Sequence, residues 1–266
     1  MDNFTNEEIL NVINNVQISV KGEKSMIEKL NPYLQSMTLW TNRHIAPDDL
    51  FNAKIRRFII LKAFCFAIPS LDLVLTPNGF ATVGNNNLVP VSKERITRLI
   101  QATEKAACFE LDQAIFMLRT EKKWLLSDNA DFFKATLIPQ PSELCNIADI
   151  PLTWDNYMTL RRKIAMFELN AATEYISNQI YDDLKEQNLA LSLSRDCKSL
   201  VKILVDADAN EILNLYPREF LLLKAVEFIR QHPLDSTLAN WTESQAAKNF
   251  IKQQSPNSKN SSAYFF

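Results

Sequence analysis

Apolar residues recur at three- and four-residue spacing over most of the chain, the spacing of helices that bury one face. Thr5-Asn6-Glu7-Glu8 has the form of a capping box, with Ile9, Leu10, Val12, Ile13 and Val16 behind it. A second helix is predicted from Glu23 to about Met37, after Gly22. Pro47-Asp48-Asp49 predicts the start of a third, apolar on most sides, which Pro69 would stop. Ser92 is the predicted cap of a long helix running to about Trp124. Thr153 caps a second long helix, from Trp154 to about Gln187, with Tyr157, Leu160, Ile164, Phe167 and Ala171 on its stripe. Short helices are predicted at 130–137 and 142–147, and longer ones at 193–205, 217–231 and 235–253. Two helices of about 30 residues each would be rods of about 45 Å. The predicted fold is mainly α, an elongated helical bundle with two long helices.

Between Leu71 and Val83 the period changes. Leu71 to Leu75 reads as a strand, Thr76-Pro77-Asn78-Gly79 as a turn, and Phe80 to Val83 as the returning strand. This predicts one small β-hairpin over about residues 71–83. A lone hairpin is marginal in water, so it must pack on helices or pair with another strand. Prolines 139, 141 and 151 bracket a connector, which suggests a helical region with the hairpin over 1–138 and a second helical region over 139–254. A single domain fits equally well. Residues 255–266 read as a flexible Ser/Asn/Lys-rich tail that ends in Tyr264-Phe265-Phe266.

Composition changes this picture mainly by exclusion. Glycine occurs 3 times in 266 residues, too few for a phosphate loop, a dinucleotide fingerprint or a nucleophile elbow. Two histidines leave little for a multi-histidine metal centre or a histidine relay. The formal net charge of -2 gives no global footprint for nucleic acid, so DNA contact would be at most non-specific. Four dispersed cysteines, with no C-x-x-C, fit buried thiols in a reducing compartment. No stretch is apolar for long enough to span a bilayer, and the first residues lack the pattern of a signal peptide. A soluble chain without a membrane partner is expected.

Candidate chemistry is thin. His44 reads as a polar turn residue and His232 as a helix exit. Asp182-Asp183 point to different helix faces. Asp206 and Asp208 read as capping or solvated residues, with Asp208 starting a segment 209–215. Trp40, Trp124, Trp154 and Trp241 sit near predicted helix ends and suit packing better than base stacking. No catalytic, cofactor-binding or metal-ligating residue and no cofactor is predicted. The aromatics Tyr264, Phe265 and Phe266 would be exposed unless they dock, either on their own core or on a neighbouring subunit.

The stretch Leu71-Asp72-Leu73-Val74-Leu75-Thr76-Pro77-Asn78-Gly79-Phe80, continuing through Asn85-Asn86-Asn87 to Pro90-Val91-Ser92-Lys93-Glu94-Arg95, resembles uncharacterised proteins of Bacteroidetes phages and prophages. The resemblance covers about a tenth of the chain and carries no catalytic motif. It implies a non-enzymatic virion component, similar to head–tail connectors, assembled in the bacterial cytoplasm. The implied partners are further copies of the chain and neighbouring portal or tail proteins. The candidate assembly contacts are Leu73, Leu75, Pro77, Asn78, Gly79 and Phe80 of the hairpin, with Tyr264, Phe265 and Phe266. An intracellular helical adaptor or regulator is the second reading, which would place the chain in the cytoplasm. A hydrolase with metal-binding carboxylates is the third.

Overall fold

The computed structural model describes residues 4–13, 26–71, 74–76, 79–81, 93–233 and 235–254. The fold is mainly α, with twelve α-helices among the described residues. Two compact units divide the chain: Met1–Ala130 with Leu152–Trp154, and Asp131–Pro151 with Asp155–Phe266.

In the first unit, α1 (Asn6–Val12) begins with the predicted capping box. Thr5 accepts the Glu8 N–H and Glu8 accepts the Thr5 N–H. Helix α2 spans Met26–His44, seven residues beyond the predicted end. Thr38 and Thr41 fold their hydroxyls back onto the Leu34 and Met37 carbonyls, each at 2.8 Å. Polar residues that look like an exit are thereby satisfied within the helix. His44 is accordingly the last residue of α2 and not part of a turn. Asp48–Leu50 forms a 3₁₀ turn, and α3 (Ala53–Leu71) starts later than predicted. Its cap is Asn52, whose side-chain carbonyl accepts the Lys54 and Ile55 N–H groups. Pro69 does not stop α3. It lies in the last turn with Ser70 and Leu71 still helical, so Leu71 ends a helix instead of opening a strand.

The hairpin predicted over 71–83 appears as less than that. Val74–Thr76 (β1) pairs antiparallel with Gly79–Ala81 (β2), Leu75 opposite Phe80. Leu73, Pro77 and Asn78 lie outside the described residues, as does Ser92. Helix α4 (Lys93–Leu118) ends before α5 (Lys122–Leu125), so the first long helix stops short of Trp124. Helix α3 packs along both α2 and α4. Trp124 is completely buried and donates its indole N–H to the Ile45 carbonyl at 2.7 Å.

Helix α6 (Asp128–Phe133) and α7 (Pro141–Ile147) lead to α8 (Trp154–Ala171). The predicted second long helix is two helices. After Ala171 the chain makes a π-helical turn over Ala172–Ile176, then restarts as α9 (Asn178–Leu189). The wider turn brings both Ala172 and Ile176 into the core. Ser177, between that turn and α9, has φ 136° and ψ 139° and caps α9. Such a backbone suits glycine. Ser177→Gly is therefore expected to raise stability by about 1 kcal/mol, less a few tenths for the lost cap. Denaturant unfolding checks this, and a destabilised variant would show that the Ser177 hydroxyl matters more than the strain.

Helix α10 spans Arg195–Leu213, eight residues past the predicted end, and closes at Asn214 in the left-handed conformation. Asn214 takes the role glycine usually fills, as a glycine-poor chain requires. Helix α11 (Arg218–Gln231) packs antiparallel-fashion against α10 through Leu222, Ala225, Val226 and Ile229. Ala239–Glu243 forms a 3₁₀ turn before α12 (Gln245–Gln254), where one helix over 235–253 was predicted. Trp241 donates its N–H to the Tyr175 carbonyl at 2.9 Å, fixing that turn on the π-helical segment.

Candidate functional site

The most unusual chemistry lies inside the second unit. Glu168 of α8 and Asp208 of α10 are completely buried. Burying a carboxylate is costly unless it is paired, and each has a cation. Lys185 Nζ of α9 lies 3.0 Å from Glu168 Oε2, and Arg218 Nη2 of α11 donates to Asp208 Oδ1 at 2.8 Å. Glu168 Oε1 also accepts the Leu137 backbone N–H at 2.8 Å. Tyr181 of α9 is buried beside both carboxylates. Its hydroxyl, Asp208 Oδ2 and Arg218 Nε make no hydrogen bond with the described residues.

These groups titrate far from their ordinary values. Burial, then the negative charge of Glu168, pushes Asp208 up to about 8 despite Arg218. Burial also raises Glu168, with Lys185 and the Leu137 N–H opposing it. Burial, followed by Asp208 and Glu168, holds the Tyr181 phenol well above its usual range. The arrangement ties α8, α9, α10 and α11 together through two coupled ion pairs. It corrects the reading of Asp208 as a capping or solvated residue, whereas Asp206 is exposed, as that reading expects. Asp208 lies mid-helix on the buried face of α10, four residues from Leu204. The missed signal was a carboxylate standing in an apolar stripe: Glu168 occupies a stripe position between Ile164 and Ala171.

The surface shows the reverse arrangement. On α4, Glu110 and Asp112 are buried, as is Arg119 just past its end, while Phe109, Phe116 and Met117 are about half exposed. Burial opposes the charge of Glu110, but Lys54 and Arg57 outweigh it and hold the carboxyl below its usual range. Charged residues inside and aromatics outside are the wrong way round for a helix that meets only water.

The remaining candidates have structural roles. Burial, with Arg43, lowers His44, which stacks near Trp40. His232 caps the end of α11, its Nδ1 2.8 Å from the Phe228 carbonyl. All four cysteines are buried, and none forms a disulfide. Burial, helped by Glu104, pushes Cys65 up to about 12 and Cys108 up to about 11, so neither is a nucleophile at neutral pH. No group of histidine, cysteine and carboxylate side chains that could hold a metal occurs among the described residues. No described helix is long and apolar enough to cross a membrane. Trp40 packs on Phe58 and Trp154, as expected for packing residues. A cleft of about 830 Å³ in the first unit is lined by Phe4, Leu34, Phe51, Asp49 and Arg56 among others. Its charges are engaged: Arg56 binds Glu8, and Asp49 pairs with Lys123. Of the candidate assembly contacts, Leu75, Gly79 and Phe80 lie in β1 and β2. Leu73, Pro77, Asn78, Tyr264, Phe265 and Phe266 lie outside the described residues.

Residues 19–134 match the model of a family of unknown function, DUF6712. The match covers under half of the chain and includes the whole Leu71–Arg95 stretch that carries the phage resemblance. No curated protein and no solved structure matches the chain. The DUF6712-like region holds α2 to α6 and thus α4 with its exposed aromatics. The buried network of Glu168 and Asp208 lies outside it.

Proposed function

We propose that the chain is a non-enzymatic structural protein of a phage or prophage particle, a head–tail connector or adaptor subunit that works as an oligomer. The observation that carries this reading is the outward placement of large apolar side chains on α3 and α4, while α4 buries the carboxylates of Glu110 and Asp112. In the first unit these are Phe109, Phe116 and Met117, together with Phe66 of α3. Residues of this kind are stable at a surface only when another surface covers them. The Leu71–Arg95 pattern and its resemblance to Bacteroidetes phage proteins supply the biological setting. In this reading the hairpin around Leu73–Phe80 and the aromatics Tyr264–Phe266 reach neighbouring subunits, or portal and tail proteins. The chain acts without a cofactor, is assembled in the host cytoplasm and is carried in the virion.

Mass spectrometry of particles purified from a producing host tests the proposal. The chain is expected in intact particles at a fixed multiple of the portal protein. Particles that contain portal and tail proteins but lack the chain would overturn it. That result would favour the second reading, an intracellular helical adaptor, whose exposed apolar helix faces would dock on a cellular protein.

A further inference from the structure

Two faces of the second unit have apolar centres and rims of opposite charge. The first is the outer side of α8. Met166 and Leu169 are 59% and 53% exposed, one helical turn apart. The exposed charged residues within one turn of them are Arg162 and Lys163, since Glu168 is buried. Arg161 is engaged elsewhere, on the ring and carbonyl of Phe132.

The second face is the corner where α10 gives way to α11. Leu215, Tyr216 and Phe220 are 59%, 74% and 61% exposed, and Leu223 follows one turn later. Helix α11 therefore carries two apolar stripes. Leu222, Ala225, Val226 and Ile229 are spent on the core. Tyr216, Phe220 and Leu223 meet no other described element that buries them. A shallow groove of about 280 Å³ beside Leu215 and Tyr216 is bordered by Glu211. Glu219 and Glu227 flank Leu223 on the exposed side of α11, and Lys224 lies over the Phe220 ring at 5.3 Å. Three carboxylates and one ammonium make this rim net acidic, against the net basic rim of α8.

We infer that the α8 face of one copy docks on the α10–α11 corner of a second copy of the chain. Charge complementarity selects this occupant. Apolar centres would meet, while Arg162 and Lys163 would face Glu219 and Glu227 across the contact. The surfaces are different, so the contact is heterologous: each copy keeps one unfilled face, and the series grows until it closes as a ring or extends as a filament. This inference rests on the proposal that the chain assembles with copies of itself. It does not depend on where assembly happens.

Sedimentation of the full chain over a concentration series tests it. The wild type is expected to show a weight-average mass that rises with concentration and falls with added salt. R162E/K163E alone, and E219K/E227K alone, should each raise the midpoint concentration at least tenfold, because like charges then face each other. The chain carrying all four substitutions should recover association, since both rims are reversed together. Circular dichroism of each variant verifies that the helices are intact. A wild type that stays monomeric at every concentration would overturn the contact. So would reversals that leave association unchanged, or a folded four-substitution chain that stays dissociated. A chain present in particles whose association ignores these reversals would lose this contact and keep the proposed function. Absence from particles, with charge-dependent association intact, would do the opposite.

Discussion

Arg218→Leu is expected to destabilise the chain by about 3–5 kcal/mol at pH 9, the usual cost of removing one partner from a buried ion pair. Arg218 donates to Asp208 at 2.8 Å, and Asp208 has no exposed surface. Without the guanidinium, only the weaker influence of Lys185 opposes the burial and the Glu168 charge that already raise Asp208. The cost must depend on pH, and the sign follows from the direction of the shift. The Asp208 pKa in the fold is raised to about 8 from an ordinary 3.8. Its contribution to stability is thus fully present below about 3.8 and is lost as pH rises through about 8. A protonated Asp208 needs no cation, so the penalty should fall as pH drops from 9 through about 8 and level off below that, where Asp208 is protonated in both chains. Urea unfolding of wild type and variant at several pH values between 5 and 9 checks both the size and the slope. A penalty that does not change with pH would mean that Asp208 stays ionised throughout. Asp208→Asn is the complementary measurement: it should flatten the pH dependence of stability while leaving the Arg218 side chain in place.

Helix content was legible because apolar spacing repeats over nearly every segment. Individual boundaries were legible where the signal was a local side-chain bond, as at Thr5–Glu8. They were lost where the deciding contact was hidden. Thr38 and Thr41 look polar in sequence but satisfy their hydroxyls within α2. Pro69 looks like a stop, yet α3 continues two residues past it, to Leu71. The break at Ser177 had no marker, because neither glycine nor proline stands there and the apolar stripe continues on both sides. Its positive φ is imposed by packing, with Ile176 and Ile180 both driven into the core.

The buried network was legible only in part. Glu168 and Asp208 each interrupt an apolar stripe, and that interruption can be read from sequence. Their partners cannot, since Lys185 and Arg218 lie 17 and 10 residues away on other helices. The exposed aromatics were illegible for the opposite reason. A phenylalanine on a helix reads as core, and Phe109, Phe116 and Phe220 fit a helical spacing as well as buried residues do. Only the fold shows that α4 turns Glu110 inward and Phe109 outward. The same inversion recurs on α8, where Glu168 is buried and Leu169 is exposed. Exposed apolar side chains and buried ion pairs thus occur side by side on the same helices, with charged residues taking some of the interior positions.

Trp124→Ala should cost about 3–5 kcal/mol, as removal of a large buried aromatic does. Trp124 is completely buried in the first unit, within the short helix α5. Its indole N–H bonds the Ile45 carbonyl, just past the end of α2. A four-residue helix has little stability of its own, so the segment is held by this side chain more than by its backbone bonds. Two losses are combined in the alanine variant: the cavity, and the unmet Ile45 carbonyl. Trp124→Phe separates them. Phenylalanine restores most of the apolar volume but cannot donate to Ile45, so its cost should be about 1–3 kcal/mol, the range for a buried acceptor left unsatisfied. Denaturant unfolding of the two variants beside wild type gives both numbers. If phenylalanine proves as costly as alanine, the hydrogen bond carries the site. If phenylalanine is neutral, packing does. In either case the effect should be independent of pH between 5 and 9, because no titrating group takes part. That independence distinguishes the Trp124 site from the Arg218 site in the same set of measurements.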